Sequence, residues 1–94
     1  MLIDSHCHLS HKKYEKSIDV IISEAGDFGV GKMINIGTSM DENRKAIDIS
    51  GAYRQVFCAI GIHPYEDIGI SLDELRISLD GNLKKSNKIV AVGE

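Results

Sequence analysis

His6 and His8 close a short alternating run, Leu2-Ile3-Asp4-Ser5-His6-Cys7-His8-Leu9. On a strand, successive side chains point to opposite faces, so Leu2, Asp4, His6 and His8 share one face and Ile3, Ser5, Cys7 and Leu9 the other. The two imidazoles then project together, about 6.6 Å apart along the backbone at ~3.3 Å per residue. From that separation two side chains can converge on one cation, at roughly 2.0–2.1 Å from each nitrogen if it is zinc. Cys7 faces away and is not counted as a ligand. Asp4, one step deeper on the histidine face, is placed to accept an imidazole N–H from behind. The plain alternative is a pair of polar side chains at a frayed strand end.

Two further residues could join such a centre. Glu94, in step with Val90 and Val92, falls at the mouth of the last apolar run, level with the histidines, where a carboxylate can hold one cation or bridge two. Taken alone, a solvated terminal carboxylate is the simpler reading. His63 follows another apolar run in Gly61-Ile62-His63-Pro64, where glycine permits close backbone approach and proline stiffens the turn. That setting suits a side chain aimed at a ligand, and equally a hydrogen-bonded structural histidine. His11 reads as solvated loop, and Lys12, Lys13, Lys16, Lys84, Lys85 and Lys88 as solvated charges. The chain contains no glycine-rich dinucleotide loop, Walker loop, Cys-x-x-Cys or serine nucleophile elbow.

The elements that must position these residues follow from periodicity. Apolar residues at Tyr14, Ile18, Ile21, Ile22, Ala25 and Phe28 have helical spacing, and Gly29 and Gly31 close that segment. Lys32 to Ile36 is a second strand. Ser39-Met40-Asp41-Glu42 has the capping-box pattern and opens a helix to about Ala52. Val56 to Ile62 is a third strand, apolar throughout, as expected when both faces are covered. Ser71-Leu72-Asp73-Glu74 opens a third helix with a Leu72, Leu75, Leu79, Leu83 stripe, and Lys88 to Val92 is a fourth strand. Strands alternating with amphipathic helices, βαβαβαβ, predict a parallel sheet with right-handed crossovers.

Bulk properties narrow the class. A chain of 94 residues with 43% hydrophobic content makes one modest core at most. A net charge of −3 supplies no basic field for nucleic acid, so a phosphate-bearing substrate needs metal or local donors. Cys7 and Cys58 lie inside apolar runs and read as buried thiols of a reducing compartment. Charged and polar residues break up the N-terminus and no run is long enough to span a bilayer, which predicts a cytoplasmic protein without membrane contact.

MLIDSHCHL at the start, GIHP at 61–64 and VAVGE at 90–94, with NIGTS at 35–39, together resemble the TatD family of metal-dependent deoxyribonucleases. The likeness runs over the whole chain. A His-x-His alone also fits the broader amidohydrolases and PHP-type phosphoesterases, from which GIHP and the Gly-Glu after strand four separate it. The resemblance implies an α/β fold of the (β/α)8 TIM-barrel type, of which these parallel strands are the N-terminal half, truncated at the end of strand four. It implies a divalent metal at the barrel mouth (zinc, magnesium or manganese, two in the intact enzyme) and hydrolysis of phosphodiester bonds in DNA. Position by position, His6 and His8 match the first-strand metal ligands, Glu94 the carboxylate shared between metals, and His63 a mouth residue that meets substrate.

No catalytic base is assignable here, since two further histidines and a late aspartate belong to the missing half. A barrel needs roughly 250 residues, so residues 1–94 read as one partial domain. Its open edges at strands one and four call for a complementing C-terminal half or for self-association. Two other readings stand beside this one. The chain is a non-catalytic remnant or one piece of a split protein, or the barrel acts on another ester or amide.

Overall fold

A computed structural model describes residues 1–10, 17–63 and 71–93. Seven elements alternate: β1 (Leu2–Cys7), α1 (Ile18–Asp27), β2 (Val30–Ile36), α2 (Met40–Ala52), β3 (Val56–Ile60), α3 (Leu72–Leu83) and β4 (Ile89–Val92). The strands form one parallel sheet in the order β1-β2-β3-β4. That is the arrangement of the N-terminal half of a (β/α)8 barrel.

Each helix starts where a serine hydroxyl takes the N–H three residues on, satisfying one of the donors a helix N-terminus leaves open. Ser17 takes Val20, Ser39 takes Glu42 and Ser71 takes Glu74. At Ser39 the box is not reciprocated: Glu42 turns its carboxylate to Ser10 and Lys45 instead. Helix α1 ends where Gly29 adopts φ +92°, a conformation that favours glycine. Gly31, expected to help close that helix, lies within β2. Phe28, expected on the apolar face, is 84% exposed, because it caps the helix beyond the last turn that meets the sheet. Tyr14, and His11, Lys12, Lys13 and Lys16 with it, lie outside the described residues.

The core sits between helices and sheet. Leu9, Ile22, Met33 and Val56 form its centre, with Cys7, Ile18, Ile21, Ala25 and Ile49 packed around them. Met33 pairs with Val56 and Asn35 with Cys58, so these residues share the helix-facing side of the sheet. Alternation sends Ile34, Ile36 and Ala59 to the opposite face. That second face carries a cavity of about 210 Å³, lined by these three with Ala91 of β4, Gly93 just after it, and Ser5 and His6 of β1.

Both edge strands expose apolar side chains: Leu2 at 62% and Ile3 at 59% on β1, Val90 at 52% and Val92 at 56% on β4. Helix α3 rests mainly on α2, and a groove of about 320 Å³ opens between Val92 and its leucines. Leu72, at the head of the expected stripe, is 84% exposed.

Lys88 is not the solvated charge its neighbours predict. Its ammonium reaches Ser50 O at 2.6 Å, Tyr53 O at 2.7 Å and Arg54 O at 3.3 Å, closing the C-terminal end of α2. No helix among the described residues is long and apolar enough to cross a membrane.

Candidate metal centre

The centre is built on an irregularity in β1. Asp4 pairs with Met33 and Cys7 with Asn35, so three steps along β1 are set against two along β2. Such a bulge bends the strand and re-aims its side chains. Asp4 Oδ1 spans it, accepting the His6 backbone N–H at 3.0 Å. That oxygen supports the His6 backbone. Strict alternation therefore fails locally, and Ser5 and His6, though adjacent, both border the cavity.

The two imidazoles come together. Their ring centroids lie 5.1 Å apart, edge to face. His8 Nδ1 is 3.3 Å from Ile36 O. A carbonyl oxygen only accepts, so Nδ1 must carry the hydrogen in that contact, and Nε2 keeps the lone pair that a cation needs. Metal-binding histidines are commonly oriented through the ring nitrogen that does not bind.

Cys7 turns toward the core instead. Its thiol donates to Ile34 O at 3.4 Å and packs against the core. Burial, reinforced by the charge of Asp4, pushes that thiol from 9.0 up to about 12. A protonated thiol is neither a good nucleophile nor a ligand. Iodoacetamide at pH 8 should therefore modify Cys7 only after the chain unfolds. Mass spectrometry in buffer and in urea checks this, and rapid labelling of the folded chain would contradict it.

The loops at the same end of the sheet are tied to each other by α2. A side chain at Gly37 would begin 2.2 Å from Asn43 Oδ1 and 2.9 Å from Asn43 Cα, so only glycine lets the helix approach the end of β2 this closely. Asn43, fully buried, accepts the Gly61 N–H at 3.0 Å, and its Nδ2 has no hydrogen-bond partner among the described residues. The His63 N–H donates to Thr38 O at 2.8 Å. His63 is thus held at the end of β3, two strands from the histidine pair, with its backbone fixed.

Ser10, just past the pair, bonds Glu42 at 2.5 Å. That bond, followed by Lys45 and then His8, holds the Glu42 carboxyl below its ordinary range against the opposing effect of burial.

Glu94 and Pro64 lie outside the described residues. Ala91 and Gly93 border the cavity, whereas Val92 borders the groove beside α3. Among the described residues, no three potential ligands of the histidine, cysteine and carboxylate kinds come together. Asn35 lies in the NIGTS stretch, but motif reasoning gave neither it nor Asn43 a role. The signal was present, as each is an amide in an otherwise core-facing position.

The parallel βα sheet has the arrangement of half a (β/α)8 barrel, and the His-x-His pair stands at the C-terminal end of its first strand. The chain belongs to the TatD related DNase family, whose model matches residues 3–94. It is 28% identical over 95 residues to an Escherichia coli (strain K12) protein named as the uncharacterized metal-dependent hydrolase YjjV, covering 98% of this chain and 36% of that protein. It is 31% identical over 94 residues to the 3'-5' ssDNA/RNA exonuclease TatD of Musicola paradisiaca (strain Ech703), covering 99% of this chain and 35% of that enzyme. Against the human deoxyribonuclease TATDN3 it is 24% identical over 100 residues, covering 99% and 36%. The chain thus spans about a third of the length of the curated relatives it matches.

Proposed function

We propose that residues 1–94 are a partial domain that supplies the first metal-gripping elements of a divalent-metal-dependent hydrolase acting on phosphodiester bonds of nucleic acid. The observation that carries this reading is the His6 and His8 pair, ring against ring, with His8 Nδ1 committed to Ile36 O. The names of the relatives, metal-dependent hydrolase, deoxyribonuclease and ssDNA/RNA exonuclease, point the same way.

In this reading His6 and His8 hold the ion, with Glu94 as the carboxylate partner. Zinc, magnesium or manganese would supply Lewis acidity and a water acidic enough to act as nucleophile near neutral pH. The remaining work belongs to the chain. Ile34, Ile36 and Ala59 keep the face beneath the pair apolar. His63, its backbone fixed to the β2–α2 loop, meets the substrate. Strands β1 and β4, with their exposed apolar side chains, close against a complementing C-terminal half or a second copy.

The test is a titration of the chain with Zn²⁺, Mn²⁺ and Mg²⁺, followed by chelator-controlled cleavage assays on single-stranded DNA, RNA and a simple ester. Metal uptake by the chain, with EDTA-sensitive cleavage of nucleic acid once a complementing C-terminal half is supplied, is the expected result. Failure to take up any of the three ions overturns it.

One observation favours a second reading, a chain that grips metal without cleaving: no third ligand joins the pair among the described residues. Metal uptake without cleavage of any substrate would select that reading. Ester cleavage alone would move the substrate class.

A further inference from the structure

We infer that Asn35 is the positioning residue for the histidine pair. Its side-chain carbonyl replaces the sheet's hydrogen bonding at the point where β1 leaves the ladder. The inference rests on the proposal that His6 and His8 hold a metal ion.

Cys7 and Asn35 form the last registered pair of β1 and β2, and β1 ends there. The backbone that follows, through His8 to Ser10, no longer has a partner strand to hold it. Asn35 Oδ1 accepts the Leu9 N–H at 2.9 Å. The next residue of β2 acts on the same segment, with Ile36 O taking His8 Nδ1 at 3.3 Å. Two consecutive residues of β2 therefore grip His8 from two sides: Asn35 by the backbone immediately after it, Ile36 by its ring. Leu9, only 4% exposed, anchors the same point in the core.

The residue type supports the role. Asn35 is 1% exposed, on the core-facing side of β2 with Met33. A buried amide is costly unless hydrogen bonded, and a leucine or valine would fill such a position more cheaply. An asparagine in the middle of Lys32-Met33-Ile34-Asn35-Ile36 is explained by what its carbonyl does for Leu9. The consequence falls on the imidazoles: with the Leu9 N–H released, the His8 backbone can turn, and the 5.1 Å edge-to-face pair loses its fixed separation.

The test compares Asn35→Leu, Asn35→Ser and Asn35→Asp with the wild-type chain. Zn²⁺ affinity is read by competition titration and Leu9 by amide hydrogen exchange. Leucine removes the acceptor, serine is too short to reach it, and aspartate retains it. The expected result is a 10- to 100-fold loss of Zn²⁺ affinity in the first two, the order found for groups that orient metal ligands. Leu9 exchange should accelerate in both, while Asn35→Asp stays within a few-fold of wild type on both readouts.

If Asn35→Leu does not fold, Asn35→Ser carries the comparison. Wild-type Zn²⁺ affinity in a folded leucine or serine variant overturns the inference and leaves the metal proposal standing. So does an aspartate variant that binds as weakly as the leucine one while keeping Leu9 protected. A wild-type chain that takes up no Zn²⁺ overturns the metal proposal and the inference with it.

Discussion

His6→Ala/His8→Ala should weaken Zn²⁺ binding to the chain by more than about 100-fold. Loss of a residue that merely orients a ligand costs up to about 100-fold in metal affinity, and removing the ligands themselves costs at least as much. Most of this effect should already appear in His8→Ala. Its ring is held through Nδ1 by Ile36 O, so the ligand is ordered before the ion arrives and little rotamer freedom is lost on binding.

Cys7→Ser is the matching control, since the thiol lies between the histidines in sequence but donates to Ile34 O and packs on the core. It should leave Zn²⁺ affinity unchanged. Calorimetry on the three variants, with circular dichroism to establish folding, decides the matter. A folded double variant that binds Zn²⁺ like wild type would place the ion elsewhere in the chain.

Most of the architecture was legible in sequence because it depends on local chemistry. Ser39 and Ser71 announce their helices through hydroxyls that reach only three residues on. The third strand announces itself by an unbroken apolar run. Gly29 marks the end of α1 because few other residues tolerate its φ. The parallel order then follows from alternation of strand and helix.

What was not legible depends on pairing between distant segments. The bulge in β1 is a property of its register against β2, and no pattern within residues 2–8 reports it. Parity could not foresee that Ser5 would border the same cavity as His6. Phe28 and Leu72 carry the right spacing but stand at helix ends, beyond the reach of the sheet. Asn35, Asn43 and Lys88 are polar residues whose partners lie far away in sequence: 26 residues for Asn35 with Leu9, 18 for Asn43 with Gly61 and 38 for Lys88 with Ser50. Composition alone reads them as surface or as defects in the core.

Lys88→Met should destabilise the chain by about 2–3 kcal/mol, in the range of hydrogen bonds to a charged group. Helix α2 has no basic residue in its last turn, and the ammonium of Lys88 supplies the missing positive charge from the start of β4. It gathers the Ser50, Tyr53 and Arg54 carbonyls and lies 5.0 Å from the Phe57 ring centroid. Methionine keeps most of the stem's packing while leaving those carbonyls without their shared donor.

Lys88→Arg should recover only part of the loss, because a planar fork fits converging carbonyls less well than a compact ammonium. Lys84→Ala and Lys85→Ala, both on the exposed surface beyond α3, should stay within about 0.5 kcal/mol. Urea unfolding of the four variants at constant m-value makes the comparison. For a domain of this size the methionine variant should melt roughly 8–24 °C lower. Equal losses from Lys84, Lys85 and Lys88 would return Lys88 to the solvated set. A loss confined to Lys88 would show that a single side chain at the head of β4 joins the end of α2 to the last strand of the sheet.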